Sequence, residues 1–276
     1  MAHYLIDQYD ISKNEVASIF DELSFWAAHF GIMLFNNLEI KKNLNILDLG
    51  CGNGFPLFEL AHTFGQSCQI TGVDIWKAGL ERAKLKQNIH RLPNLKILEA
   101  NGESLSFPDS TFDLIVSNLL INNLTNPSLT ISECYRVLKP KSKIALTTNV
   151  KGHFQEFYQV FSELLIKLAN ETYIENLAKN ENHRGSKEIF TKLLEKNGFI
   201  VTKTIEDKFF MRFTDGSSLL NHSLIKVGFL SGWKNIVDVK DQEMVFNYLE
   251  NKLNEIADRE GQLKMTVPML YLEAKK

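Results

Sequence analysis

The stretch Asn45–Gly54, which reads N-I-L-D-L-G-C-G-N-G, constrains the fold more than any other part of the chain. It begins with a short apolar run that is typical of a strand buried on both faces. Gly50, Gly52 and Gly54 follow at alternate positions, and glycine permits positive φ and lets a ligand approach the backbone closely. From Phe55 the apolar residues recur at helical spacing. The pattern predicts a strand, a glycine-rich turn and a helix, an order found at nucleotide-binding sites.

The spacing of the glycines narrows the class of nucleotide. A dinucleotide-binding turn, G-x-G-x-x-G/A, needs glycine or alanine at the position of Phe55, and a phosphate-binding P-loop needs a Gly-Lys pair, which the stretch lacks. The spacing acidic-x-G-x-G-x-G, which begins at Asp48, resembles the first motif of the class I S-adenosylmethionine-dependent methyltransferases. That cofactor carries no phosphate, so it needs no lysine. A glycine-rich turn in an unrelated α/β protein remains the alternative.

The next apolar run, Gln69–Asp74, predicts a second strand that ends in a carboxylate. Asp74 follows the glycine turn by about 20 residues, the interval at which a doubly wound fold places the acidic residue that accepts the ribose hydroxyls. A carboxylate beside a buried apolar strand is costly unless it has partners. We therefore expect Asp74 to bind a ribose, and the alternative is a cap for a helix predicted over 76–87.

Two further segments extend the resemblance. The segment A-N-G-E-S-L-S-F-P-D-S-T-F-D is similar to the family's D-A-E-x-L-P-F-x-D-x-S-F-D, with Asn101 in place of an aspartate. Arg136–Pro140, R-V-L-K-P, is similar to the start of the family's R-V-L-K-P-G-G, and the fifth strand is predicted after it over 144–148. The resemblance implies that Asn101 bonds to adenine through its carbonyl oxygen and that a strand over 113–118 ends beneath the methionine part. The residues that the resemblance assigns to S-adenosylmethionine, and to its product S-adenosylhomocysteine, are Asp48, Gly50, Cys51, Gly52, Asn53, Gly54, Asp74, Ile75, Asn101, Gly102, Glu103, Ser117 and Asn118.

The resemblance implies an α/β fold with a Rossmann-like, doubly wound sheet of seven strands, mostly parallel, in which the last strand is antiparallel. The helical periodicity before Asn45 predicts an N-terminal helical lid over 1–43. The methyltransferase domain is expected over 44–276, with helical insertions at about 149–185 and 217–261.

The two insertions are rich in aromatic and aliphatic residues. Helices inserted after a strand of an open α/β sheet lie over the carboxyl ends of the strands, where ligands bind. We interpret them as a cap over the methyl acceptor, and the alternative is that their aromatic stripe is core. An acceptor with a hydroxyl or an acidic carbon needs a base. His153, His183 and His222 are the candidates, in that order, with a structural role as the alternative for each.

The residues after the fourth strand, S-N-L-L-I-N, exclude several acceptor classes within the family. They lack the Pro-Pro-aromatic group of the enzymes that methylate nucleic-acid or glutamine nitrogens, the two glutamates of arginine methyltransferases, and the acidic metal ligand of catechol-type enzymes. These absences favour a small-molecule acceptor and no metal. The apolar insertions favour a largely apolar acceptor, such as a quinone, a polyketide or a lipid-like molecule. The chain is thus similar to the methyltransferases of quinone and biotin pathways.

Composition narrows the partners and the compartment. The 276 residues carry a formal net charge of −2 and no lysine- or arginine-rich patch, which argues against nucleic acid as a partner. Three cysteines without metal spacing favour a reducing compartment over disulfides or a zinc site. The N-terminus lacks the pattern of a signal peptide, and no apolar stretch is long enough to cross a bilayer. We expect a cytoplasmic protein, and the sequence leaves its oligomeric state open.

The resemblance implies transfer of a methyl group from S-adenosylmethionine to the acceptor by in-line displacement, in which the enzyme mainly aligns the two reactants. A non-catalytic module of the same fold that binds S-adenosylmethionine or a nucleoside is the alternative, because the glycine turn and Asp74 suit both. A nicotinamide-dependent oxidoreductase is a third reading, against which Phe55 argues.

Overall fold

The strands and helices below come from a computed structural model that describes residues 3–6, 9–21 and 24–276, without the side chains of His3 and Ser24. Residues 1, 2, 7, 8, 22 and 23 of the predicted N-terminal lid lie outside this part. The strands are β1 (Asn45–Leu49), β2 (Gln69–Asp74), β3 (Leu95–Glu99), β4 (Phe112–Asn118), β5 (Leu138–Asn149), β6 (Ile200–Phe213) and β7 (Leu263–Lys275). The helices are α1 (His3–Ile6), α2 (Asn14–Ile19), α3 (Ser24–Phe35), α4 (Leu57–Phe64), α5 (Lys77–His90), α6 (Pro127–Val137), α7 (Gln155–Lys167), α8 (Glu171–Glu181), α9 (Lys187–Lys196), α10 (Gly216–Asn221), α11 (Ser223–Gly228), α12 (Leu230–Lys234) and α13 (Val239–Glu260), and Ile121–Asn123 forms a 3-10 helix.

The seven strands form one sheet in the order β3-β2-β1-β4-β5-β7-β6. β1 pairs in parallel with β2 and β4, β2 with β3, and β4 with β5, whereas β7 runs antiparallel to β5. The predicted α/β fold, a mostly parallel seven-stranded sheet whose last strand is antiparallel, is confirmed. β1 and β4 are buried along nearly their whole length, as the continuous apolar runs of central parallel strands require.

The strand order places a ligand-binding crevice at the carboxyl end of β1. From β1 the chain adds β2 and β3 on one side, and it then returns to add β4 and β5 on the other side. Open α/β sheets bind ligands at such a switch point, outside the carboxyl ends of the strands, because the connecting loops diverge there. The glycine-rich turn follows β1 directly, so it lies at this point of the sheet.

The chain divides into two compact units, which are described separately. The sheet unit comprises Ile11–Asn149, Ser186–Asp207 and Met269–Lys276. The helical unit comprises the described residues of Met1–Asp10, Val150–Gly185 and Lys208–Pro268, and so contains most of both predicted insertions. Within the helical unit, α7 packs against α8 and α13, and Trp233 of α12 stacks on Phe157 of α7 with ring centroids 3.9 Å apart. The lid over 1–43 and its boundary with the 44–276 domain stay predictions.

Most predicted elements lie within a few residues of the observed ones, and β2 has the predicted bounds. The largest difference is β5, which was expected to begin at Ile144 and begins at Leu138. Lys141 has φ 69, a left-handed conformation, and the pairing with β4 shifts register nearby. The K-P-K-S segment is therefore an irregular part of β5. The sequence pattern indicates instead a turn that precedes the strand.

Candidate functional site

Hydrogen bonds within the sheet unit fix the shape of the glycine turn. The backbone N–H groups of Gly50 and Cys51 both donate to the carbonyl oxygen of Val73, over 2.8 and 3.1 Å. The N–H of Gly54 donates to the carbonyl oxygen of Cys51 over 2.8 Å. Gly50, Gly52 and Gly54 have φ of 80, 51 and 110°, values that L side chains rarely adopt. The turn thus needs glycine for its conformation, as the motif predicts.

Two of these glycines also face side chains at close range. A Cβ on Gly50 would lie 2.9 Å from the side chain of Leu120, and one on Gly54 would lie 2.1 Å from Phe58. A Cβ on Gly52 would meet Trp76 only at an ordinary 3.9 Å. The turn is therefore closely covered at Gly50 and Gly54 and more open at Gly52.

The carboxylate of Asp74 bonds directly to the turn. Its Oδ2 accepts the N–H of Gly52 over 2.8 Å, and its Oδ1 accepts the N–H of Trp76 over 2.8 Å. An ionised carboxylate has about four acceptor positions, so both oxygens retain a lone pair for a ligand diol. The N-cap residue of α5 is Trp76, and no side chain caps this helix, so Asp74 does not have the capping role of the alternative reading.

Asp48 is a buried carboxylate at the same end of the sheet. It is 0% exposed, and among the described residues neither of its carboxylate oxygens has a hydrogen-bond partner. Burial, and secondly the negative charge of Asp74, raise the pKa of Asp48 to about 8. A buried carboxylate without a partner is costly, and a ligand with positive charge and hydrogen-bond donors would offset that cost. S-Adenosylmethionine, with its sulfonium and ammonium groups, fits this requirement.

Cys51 and Asn53, both assigned to the cofactor from the sequence, have different surroundings. Cys51 is fully buried, and burial raises the pKa of its thiol well above the usual value, so the thiol stays protonated. Asn53 donates from Nδ2 to Oδ1 of Asp21 over 2.8 Å. Asp21 also accepts from Arg82 over 2.6 Å and from Lys86 over 2.7 Å. The side chain of Asn53 therefore joins the turn to the segment before α3.

That N-terminal segment contacts Trp76, two residues after Asp74. The indole N–H of Trp76 donates to the carbonyl oxygen of Ile11 over 2.6 Å, and the ring of Phe20 meets that of Trp76 edge-on, with centroids 4.8 Å apart. Ile75, between Asp74 and Trp76, leaves 66% of its surface exposed at this end of the sheet. An exposed apolar side chain beside the carboxylate that is expected to bind ribose suits contact with a flat apolar base.

The Asn101–Glu103 segment forms a tight turn after β3. Oδ1 of Asn101 accepts the N–H of Glu103 over 2.9 Å, so the oxygen expected to bind adenine already has one partner. Oε1 of Glu103 accepts the N–H of Asn126 over 3.0 Å. A Cβ on Gly102 would lie 3.1 Å from Thr130, which leaves little room for a side chain. The oxygen of Asn101 retains a second lone pair for a ligand.

Hydrogen bonds from the end of β4 link three strands. Ser117 donates from Oγ to the carbonyl oxygen of Leu49 on β1 over 2.8 Å. Oδ1 of Asn118 accepts the hydroxyl of Thr147 on β5 over 2.7 Å. Leu119, the next residue, has φ 63, and its N–H donates to the carbonyl oxygen of Thr147 over 2.8 Å. A bulky residue in the left-handed region is uncommon and concentrates at functional sites.

The side-chain amide of Asn122 adds further hydrogen bonds at this end of β4 and β5. Nδ2 of Asn122 donates to Oγ1 of Thr148 over 2.9 Å and to the carbonyl oxygen of Asn149 over 2.7 Å. The sequence prediction includes Ser117 and Asn118 but not Asn122, Thr148 or Asn149. Asn122 is the last residue of the S-N-L-L-I-N stretch, so its position in the sequence is a signal for it, whereas the two β5 residues come near only through strand pairing.

The three candidate histidines lie in the helical unit in unlike surroundings. His153 is 2% exposed, with its ring stacked on Phe154 at 3.8 Å, and burial, then the charge of Arg184, lower its pKa well below the usual value. His183 is exposed. Nδ1 of His222 accepts the N–H of Leu224 over 3.2 Å and caps α11, so its proton lies on Nε2. In that tautomer the ring cannot act as a base while it caps the helix.

Comparison with known proteins places the chain in a family. A model described as a methyltransferase domain matches residues 40–198. The chain belongs to this methyltransferase family. The match covers β1–β5 and α4–α9, and so includes the glycine turn and Asp74.

Relatives and a solved structure resemble this methyltransferase domain. A 2-phytyl-1,4-naphtoquinone methyltransferase of Nostoc sp. is 31% identical over 150 residues, which cover 52% of this chain and 66% of the relative. A demethylmenaquinone methyltransferase of Geobacillus sp. is 27% identical over 124 residues, which cover 45% of this chain and 53% of the relative. The matches thus span between half and two thirds of these relatives. An S-adenosylmethionine-dependent methyltransferase of Aquifex aeolicus shares the fold, with a TM-score of 0.55 at 21% identity over 72% of this chain and 93% of that chain.

No group of three or more histidine, cysteine, aspartate or glutamate side chains in the described part of the chain is arranged to hold a metal ion. Within the same ranges, every helix is too short or too polar to span a lipid bilayer.

Proposed function

We propose that the protein transfers a methyl group from S-adenosylmethionine to a small, largely apolar acceptor. The observation that carries the proposal is the pair of carboxylates that flank the glycine turn. Asp48 is fully buried without a protein partner among the described residues, and Asp74 is held at the turn by Gly52. Asp74 offers acceptors to a diol, and a cationic ligand would favour the ionised form of Asp48, whose pKa is raised in the ligand-free protein. The ionised pair would repel a phosphate.

The proposed roles of the residues follow from their positions in the sheet unit. Asp74 accepts the ribose hydroxyls, and Ile75 contacts the base. Asn101, with Gly102 and Glu103, borders the adenine. The list of proposed contacts is completed by Gly50, Cys51, Gly52, Asn53 and Gly54 of the turn, by Asp48, and by Ser117 and Asn118 at the end of β4. The same contacts would serve a non-catalytic cofactor-binding module, and the description of the two named relatives as methyltransferases favours the enzyme.

S-Adenosylmethionine supplies, when bound, a methyl group on a positively charged sulfur. The contribution of the chain is to hold that group still and dry while the acceptor approaches. Ser117 and Asn118 are both buried, and their side chains are fixed by Leu49 and Thr147, so the floor of the crevice is rigid. A rigid floor favours alignment, which supplies a large part of the acceleration in a two-reactant transfer.

For the acceptor we propose a quinone-type ring. The two relatives named above are described as acting on 2-phytyl-1,4-naphtoquinone and on demethylmenaquinone. The helical unit is rich in aromatic side chains, but Phe154, Phe157 and Trp233 are fully buried against one another, so of this group only the partly exposed Phe229 could contact such a ring. If the acceptor must lose a proton, His183 has the least hindered ring, since His153 is a weak base and His222 caps a helix.

We also propose a cytoplasmic location. Cys51, Cys68 and Cys134 are all free and buried. Free thiols of this kind are typical of proteins kept in a reducing compartment.

Calorimetry and a labelled-methyl assay test the function together. We expect S-adenosylhomocysteine to bind the protein, NADH not to bind, and the label to pass from S-adenosylmethionine to a reduced naphthoquinone. Failure of S-adenosylhomocysteine to bind would overturn the proposal outright. Binding without transfer to any member of a quinol, polyketide and fatty-acid panel would instead favour the non-catalytic module.

A further inference from the structure

Arg184 places a positive charge in the interior of the helical unit. The residue is 9% exposed and follows α8. Its Nη1 donates to the hydroxyl oxygen of Tyr158 over 3.4 Å, and its guanidinium lies over the ring of Phe229, 5.2 Å from the centroid. Among the described residues, no carboxylate forms an ion pair with it. Since a guanidinium carries five N–H donors, Tyr158 satisfies a small part of its capacity.

The described groups that contact Arg184, or its partner Tyr158, are aromatic or neutral. The hydroxyl of Tyr158 donates to Oδ1 of Asn180 over 2.7 Å and accepts the indole N–H of Trp233 over 3.2 Å. That oxygen therefore carries no charge to balance the guanidinium. His153 stacks on Phe229 with centroids 5.1 Å apart, and Arg184 helps to keep this imidazole neutral.

Backbone bonds hold Arg184 and His153 in this arrangement. The N–H of Lys151 donates to the carbonyl oxygen of Gly185 over 3.0 Å, which joins the segment before His153 to the segment after Arg184. The N–H of Phe154 donates to the carbonyl oxygen of Thr266 over 2.8 Å. The guanidinium is thus presented by a built site rather than by a free surface side chain.

A buried charge without an opposite charge is unfavourable, and a ligand that brings a negative oxygen would remove the penalty. The planar fork of arginine matches the two oxygens of a carboxylate, and the rings of Phe229 and His153 make its surroundings aromatic. We propose that Arg184 binds an aromatic ligand through an anionic oxygen of that ligand, either in a ring carboxylate or in a phenolate. The statement that this ligand is the methyl acceptor rests on the proposed function, whereas the anion site itself does not.

The full chain is titrated by calorimetry with 2-naphthoate, which is an anion at pH 7.5, and with the uncharged 2-naphthamide. We expect naphthoate to bind at least about tenfold more tightly, because it alone pairs with a largely desolvated charge. Arg184→Gln removes the preference. Arg259→Gln, which changes an exposed arginine of α13 paired with Glu260, retains it. Equal affinities in the unaltered protein, or a preference that survives Arg184→Gln, would overturn the proposal.

Titration with 2-naphthol, which ionises only at alkaline pH, distinguishes recognition of a phenolate from recognition of a carboxylate. Tighter naphthol binding from pH 7.5 to pH 10, absent in Arg184→Gln, supports a phenolate; a preference for naphthoate alone supports a carboxylate. Arg184→Lys keeps the positive charge without the planar fork, and it replaces Arg184→Gln as the test if that variant does not fold. We expect Arg184→Lys to keep part of the preference for naphthoate. Complete loss of the preference in a folded Arg184→Lys would count against recognition of the charge. S-Adenosylhomocysteine binding is measured on the same samples. If it is absent while naphthoate selectivity is intact, the proposed function fails and the anion site stands.

Discussion

Gly52 donates its backbone N–H to Oδ2 of Asp74 over 2.8 Å. The bond joins the turn after β1 to the last residue of β2, and Trp76 holds the other oxygen through its own N–H. Two main-chain donors therefore set the orientation of the carboxylate, independently of any ligand. The position of the proposed ribose acceptor is built into the backbone of the sheet unit.

Replacing Asp74 by Asn tests this arrangement. The amide offers one acceptor oxygen to two backbone donors and brings no negative charge to a diol. We expect the affinity for S-adenosylhomocysteine to fall at least about tenfold, since hydrogen bonds to charged groups are stronger than those between neutral groups. The matched control is Glu99→Gln, the register partner of Asp74 on β3, whose carboxylate is exposed and paired with Lys77. An equal loss in both variants, measured by calorimetry, would contradict the assignment.

Asp48 makes the stability of the ligand-free protein dependent on pH. Burial raises the pKa of Asp48 to about 8, whereas an aspartate in an unfolded chain titrates near pH 4. Between about pH 4 and about pH 8 the folded state holds a proton that the unfolded state has released, so the free energy of unfolding falls as the pH rises, by up to about 1.4 kcal/mol per pH unit.

Asp48→Asn removes this dependence. We expect its Tm to exceed that of the unaltered protein by an amount that grows from pH 5 to pH 8, in scanning calorimetry without ligand. Glu59→Gln, which changes an exposed carboxylate of α4, is the control and should show no such trend. A Tm difference that stays constant over this pH range would show that Asp48 is ionised in the folded protein.

The glycine turn can be probed by a matched pair of alanines. Gly65 has φ 64 and nothing within 4 Å of a Cβ, so Gly65→Ala is strained only in its backbone, at a cost of about 1–3 kcal/mol. Gly54 has φ 110, and its Cβ would collide with Phe58, which adds a further cost of about 1–3 kcal/mol. Urea unfolding should show the larger loss for Gly54→Ala. Equal midpoints would mean that Phe58 moves aside freely.

Asp21 fixes the N-terminal segment to the sheet unit. Burial opposes ionisation, but hydrogen bonds from Lys86 and Arg82 outweigh it and lower the pKa of Asp21. In Asp21→Asn we expect the amides of residues 11–21 to exchange at least about tenfold faster, because local opening no longer breaks charge-assisted bonds. Hydrogen exchange read by mass spectrometry measures this, with Lys84→Gln on α5 as the control. Unchanged exchange in Asp21→Asn would show that Trp76 alone retains the segment.

The sequence predicts the bounds of a strand well where an uninterrupted apolar run has a clear end. β2 has the predicted bounds because an apolar run ends abruptly at a charged residue. β5 begins six residues earlier than expected, at Leu138 in place of Ile144, because Lys141 adopts a left-handed conformation that a lysine rarely takes. A pattern of apolar residues contains no information about such a position.

The candidate site divides in the same way. The glycines and Asp48 could be predicted because a contiguous motif carries them, and Asp74 because it ends the next apolar run at the expected interval. Asp21 and Thr147 could not, because their partners Asn53 and Asn118 are distant along the chain and come into contact only through the fold. Arg184 is missed for another reason: charge in a sequence does not reveal whether a carboxylate will lie beside it.

The shared acceptor at Val73 has a consequence for how a ligand is received. Since Gly50 and Cys51 both bond to that carbonyl, the loop needs no rearrangement when a molecule enters. Little ordering entropy is then lost on association, and the rate of capture depends on entry to the crevice rather than on closure of the loop. Substitutions in the loop would accordingly change mainly the dissociation rate of a bound nucleoside.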